Sequence, residues 1–116
     1  MNINKIFYLG TCSTCKEIIK SIKDTSAFKL VDIKKKAITS EELDELYLQT
    51  GSYEALFSKR SRSYAAIKDT IKKDEDYRDL ILRDYTFLKR PVIQYKNHLF
   101  IGNSPSTKDA IKKTLG

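Results

Sequence analysis

Histidine, cysteine and long apolar runs are scarce in this chain, and each scarcity closes off a class of function. One histidine, His98, and two cysteines, Cys12 and Cys15, fall short of the four protein ligands, or three plus water, that zinc sites take. A structural disulfide between those cysteines would close a very short loop and restrict little unfolded-state entropy. No apolar run approaches the ~18 residues of a membrane-spanning helix, and Met1-Asn2-Ile3-Asn4 does not read as a signal peptide. The expectation is a cytoplasmic protein without membrane association. No linker-like stretch divides the chain, and 116 residues are enough to build one core without disulfide staples.

Positive charge, by contrast, is plentiful. Twenty-two Lys and Arg against 15 Asp and Glu leave a net charge of +7, which suits an anionic partner such as a small oxyanion or glutathione. The basic residues are spread along the chain, and the single tight run, Lys34-Lys35-Lys36, reads as a solvated loop. No nucleic-acid motif is present, so direct nucleic-acid binding is not expected.

The two cysteines lie together in Leu9-Gly10-Thr11-Cys12-Ser13-Thr14-Cys15-Lys16. The run Ile6-Phe7-Tyr8-Leu9 before them reads as a buried strand. Cys15, Ile18, Ile19 and Ile22 after them recur with helical spacing and predict a helix over about Ser13–Asp24. The pair therefore falls where a strand turns into a helix. Cys12 is placed at the helix N-terminus, where unpaired N–H groups and the dipole favour a thiolate. Cys15, one turn on, is placed to attack a sulfur adduct on Cys12. The competing reading is an inert pair, with Cys15 filling the apolar face of the helix.

The remaining elements follow in order. Phe28, Leu30, Val31 and Ile33 make a second strand, so strand, helix and strand form a βαβ unit that should be parallel. A helix capped by Thr39 or Ser40 carries Leu43, Leu46 and Tyr47 and ends at Thr50-Gly51. Ser52 caps a short helix with Tyr53, Leu56 and Phe57; Tyr64, Ile67 and Ile71, then Tyr77, Leu80 and Ile81, resume helical spacing. Val92–Tyr95 and Leu99–Ile101 flank a turn at Lys96-Asn97, and Ser104-Pro105 opens a last helix facing inward through Ile111 and Leu115. The order is βαβ, a helical insertion at about 39–86, then ββα. This is the α/β thioredoxin-like arrangement, a mixed four-stranded sheet flanked by helices, as one domain over residues 1–116. In that fold the proline opening the third strand is usually cis, which here means the Arg90–Pro91 bond.

With Cys12-Ser13-Thr14-Cys15-Lys16, Ser58-Lys59-Arg60-Ser61, Arg90-Pro91 and Gly102-Asn103-Ser104-Pro105 in place, the chain resembles, nearly end to end, the glutaredoxin-linked arsenate reductase (ArsC) family and its relatives, the Spx regulators. The resemblance to the reductases implies a nucleophile at Cys12 that attacks arsenate, with glutathione and glutaredoxin releasing arsenite. It also implies three arginines around the oxyanion. Arg90 stands at one of these positions, while Ser58 and Asn103 stand at the other two. At ~1.5–3 kcal/mol per charge-assisted contact, two fewer arginines predict oxyanion binding weaker by roughly a hundredfold or more. Arg60, at a position where Spx carries arginine, and Arg62 are the candidate substitutes.

The catalytic residues expected are thus Cys12 as nucleophile and Cys15 as resolving thiol. Arg90, Arg60, Thr11 and Ser13 are expected to bind the anion, and Pro91 to shape the site. Lys16 reads as a solvated first-turn residue, and His98 as an exposed residue of the hairpin. No cofactor or metal is expected; glutathione enters as co-substrate, and glutaredoxin or thioredoxin as reductant of a monomer. The resemblance to Spx implies a second function, redox-controlled binding to the RNA polymerase α subunit through a surface that includes a glycine. Gly51 falls near that position, and it also suffices as a helix C-cap.

Overall fold

Four short strands, β1 (Lys5–Tyr8), β2 (Lys29–Asp32), β3 (Val92–Tyr95) and β4 (His98–Ile101), form one sheet in the order β2-β1-β3-β4. The computed structural model describes residues 4–116; the reading of Met1-Asn2-Ile3 lies outside them. β1 pairs in parallel with β2 and antiparallel with β3, and β3 pairs antiparallel with β4, so the sheet is mixed as expected. Lys96, in the left-handed region at φ 52°, makes the tight turn between β3 and β4, and its N–H donates to the Asn4 side chain at 3.0 Å.

The chain divides into two compact units, one of residues up to 36 together with 90–116, the other of residues 37–89. The first holds the sheet with α1 (Ser13–Ser21) and α5 (Pro105–Leu115). Alternation along the strands sends Ile6 and Ile93 to one face, where they form a buried cluster with Ile18 and Ile22 of the α1 segment, Phe28, and Ile111 and Leu115 of α5. The Lys23 N–H donates to the Leu115 carbonyl at 2.8 Å and joins the ends of the two helices. β2 is shorter than the apolar residues suggest. As an edge strand it buries Val31 and leaves Leu30 at 46% exposure. Lys34-Lys35-Lys36 after it are exposed.

α1 ends at Ser21, three residues before the Asp24 expected from its apolar spacing. Asp24 takes the chain elsewhere: its carboxylate accepts the Ser26 N–H at 3.0 Å and opens a 3-10 turn at Thr25–Ala27. Short acidic side chains bond nearby backbone N–H groups in this way and favour caps over helix interiors.

In the second unit, α2 (Ser40–Thr50) begins with a capping box in which Thr39 Oγ1 accepts the Glu42 N–H at 3.1 Å and Glu42 accepts the Thr39 N–H at 3.0 Å. Thr39→Ala should lower unfolding free energy by about 1 kcal/mol, read from the midpoint of urea denaturation at unchanged m-value. Gly51 ends the helix at φ +71°, its N–H donating to the Tyr47 carbonyl at 2.7 Å. α3 (Tyr64–Ile67) is a single turn continued by a 3-10 segment, and α4 (Asp74–Arg83) follows. Phe57 is the hub of this unit, stacked on Phe87 and meeting Tyr64 and Tyr77 edge-on. Arg78 of α4 grips Asp44 of α2 with Nε at 2.8 Å and a second nitrogen at 3.1 Å, and the Tyr53 hydroxyl donates to the same carboxylate at 2.7 Å. Among the described residues, no helix is long and apolar enough to cross a membrane.

Candidate active site

β1 leads directly into the cysteine loop. The Cys12 N–H donates to the Leu9 carbonyl at 2.9 Å, closing a tight turn over Gly10 and Thr11. A Cβ on Gly10 would lie 2.5 Å from Asp32 Oδ2, so a residue without a side chain lets this turn pass beside the end of β2. Cys12 is the N-cap of α1, extended at φ −91° and ψ 110°, and its Sγ accepts the Cys15 N–H at 3.5 Å. The sulfur thus takes the place that a serine or aspartate oxygen takes at other helix starts.

Both thiols are free, and their surroundings differ. Cys12 is half-buried and Cys15 fully buried. Burial works against the Cys12 thiolate. The Cys15 N–H and thiol, the Arg90 charge and the Thr14 N–H together outweigh it, and the Cys12 pKa falls below its ordinary value. Cys15 goes the other way. Burial in an apolar setting, with the neighbouring Cys12 sulfur opposing a second negative charge, pushes its thiol up to about 11 despite help from Leu9 and Arg90. Of the two, Cys12 is the more readily ionised, and Cys15 holds its proton at neutral pH.

Arg90 reaches this site from the start of β3. The Arg90–Pro91 bond is cis, as the fold suggested, and Pro91 is buried while Arg90 is half-buried. Two residues after β4 hold the segment. The Gly102 N–H donates to the Pro91 carbonyl at 2.9 Å, with Gly102 at φ +83°, and Asn103 Nδ2 donates to the Arg90 carbonyl at 3.2 Å. Sequence reasoning treats Asn103 only as an absent arginine. Its bond spans thirteen residues of sequence, and no local pattern announces it.

Thr11 and Ser13 flank Cys12 and are exposed, as is Lys16. Cys12, Cys15, Arg90, Pro91, Thr11 and Ser13 all belong to the first compact unit. Arg60 and Arg62 belong to the second, where both are exposed. The Arg60 N–H donates to Ser58 Oγ at 3.4 Å, and the Ser58 N–H donates to the Phe87 carbonyl at 2.6 Å. His98 is exposed on β4 between the rings of Tyr95 and Phe100.

The ArsC family model matches residues 7–111 of this chain. Among solved structures, the YffB protein superposes with a TM-score of 0.79 at 17% identity, covering 97% of this chain and 99% of its own. An arsenate reductase from Vibrio cholerae gives 0.77 at 18% identity, covering 93% and 96%. An ArsC-related protein from Brucella melitensis gives 0.67 at 21% identity, covering 94% and 93%. These likenesses establish the fold. None of the curated protein sequences matches this one.

Proposed function

The chain belongs to the ArsC family, and from that membership we propose that it is a thiol oxidoreductase in which Cys12 attacks and Cys15 resolves, with arsenate as the substrate to test first. The observation that carries this reading is the inequality of the two thiols, one half-exposed and lowered in pKa, the other buried and raised to about 11.

The Cys12 thiolate attacks arsenic, an oxygen leaves as water, and an S–As bond forms with arsenic still in its +5 state. Cys15 then loses its proton and attacks the Cys12 sulfur. The S–S bond forms, the S–As bond breaks, and its electron pair stays on arsenic, which departs as arsenite. Glutaredoxin with glutathione, or thioredoxin, supplies the two electrons that reopen the disulfide. The order of events is built into the pair. While Cys12 is a thiolate, its charge and hydrogen bonding hold the proton on Cys15; once Cys12 carries an adduct, both of those contributions vanish and Cys15 ionises more readily. Arg90, Thr11, Ser13 and the loop N–H groups are the anion-holding groups of the first unit.

Arsenate-dependent NADPH oxidation, coupled through glutathione and glutaredoxin or through thioredoxin, tests the substrate. Turnover in either system supports it, and none in both removes arsenate. A second reading, a redox-sensing adaptor for the RNA polymerase α subunit, has one feature in its favour: Gly51 is exposed, and a Cβ there would meet nothing within 4 Å. Its φ of +71° serves the end of α2 equally well. Pull-down with the α C-terminal domain should then weaken in Gly51→Arg, and no binding in either redox state removes the adaptor.

A further inference from the structure

The geometry points to Asn103 as a positioning residue for Arg90: by holding the Arg90 carbonyl it fixes the backbone from which the guanidinium reaches the Cys12 side of the site. This rests on the reading of Cys12 as a nucleophile assisted by Arg90. The β3–β4 ladder runs to the pair Val92 and Ile101. One residue further the Gly102 N–H still pairs with the Pro91 carbonyl, at 2.9 Å. Beyond that the chain turns away, because Ser104 caps α5 by accepting the Thr107 N–H and Pro105 opens the helix. The Asn103 backbone therefore leaves the ladder, and its side chain supplies the next bond, Nδ2 to the Arg90 carbonyl at 3.2 Å. Residues 102 and 103 thus engage the carbonyls of residues 91 and 90 in succession.

A buried or half-buried carbonyl that loses its donor turns to find another. At Arg90 that turn is a change in the backbone carrying the guanidinium. The Arg90 charge favours the thiolate at Cys12, so its displacement should register at the sulfur rather than only in stability. An asparagine where the family resemblance places an arginine thus keeps a task at the site, acting through its neighbour and not on the anion.

The test is a double-variant cycle read from the rate at which iodoacetamide alkylates Cys12 in the reduced full-length protein between pH 5 and 10. Asn103→Ala should slow Cys12 alkylation at neutral pH by about threefold and move the profile to higher pH. In an Arg90→Ala background, the same substitution should change nothing further. Asn103→Ser, whose hydroxyl is too short to span the bond, replaces the alanine variant if that one does not fold. An unchanged profile in a folded Asn103 variant overturns the inference, as does an equal slowing in both backgrounds, which is what a merely structural role produces. If Arg90→Ala alone leaves the profile unmoved, the assistance of Cys12 by Arg90 fails, and the inference fails with it.

Discussion

Cys12→Ser should reduce thiol-dependent turnover by about 10⁴-fold or more, with far-UV circular dichroism and thermal midpoint close to those of the parent. The size follows from the chemistry. A serine hydroxyl at a helix N-terminus stays protonated at neutral pH, whereas the Cys12 pKa lies below that of an ordinary thiol. Serine also cannot form the S–S bond that ends the cycle. The fold should be indifferent, because serine is a preferred N-cap and offers its oxygen to the Cys15 N–H where Sγ now sits at 3.5 Å. Residual activity above about one per cent would mean that the reacting group is elsewhere.

Cys15→Ser should stop the reaction halfway. Exposed to glutathione disulfide without reduced glutathione, the variant should accumulate one covalent glutathione on Cys12, seen by intact-mass measurement. The parent should instead lose two hydrogens and carry no adduct, because Cys15 displaces the glutathione. A variant that holds no adduct, or a parent that keeps one, contradicts the division of labour. Unlike the first substitution, this one affects stability. Cys15 is fully buried on the inner face of α1, and a hydroxyl there costs about 1–3 kcal/mol unless it finds a partner, so the incubation belongs at low temperature.

What the sequence discloses and what it withholds divide along physical lines. The apolar spacing of Ile18 and Ile22, the apolar run that begins at Ile6, and the Ser104-Pro105 helix start are local patterns, and each reappears as a buried face or a cap. The CxxC loop is legible for the same reason, since strand and helix periods meet at Cys12. The early end of α1 is less so, because the competing bond from Asp24 to Ser26 depends on which side-chain contact wins, not on periodicity. α3 is similar: Tyr64, Ile67 and Ile71 have helical spacing, yet the chain keeps α-helical form for a single turn and passes into a 3-10 segment before Ile71. Least legible is Asn103, whose bond to Arg90 exists only because the end of β4 runs alongside the start of β3. Composition and spacing describe elements; they are silent on the contacts that form where distant elements end side by side.

The central claim is that two cysteines three residues apart have been made chemically unequal. The most direct measurement is site-resolved alkylation of the reduced protein across pH 5 to 12, with each cysteine followed by peptide mass. The account predicts that Cys12 reacts with a midpoint below that of an ordinary free thiol, and that Cys15 stays protected until the pH approaches about 11. Cys12 titrating at or above the free-thiol value, or the two cysteines titrating together, would contradict it.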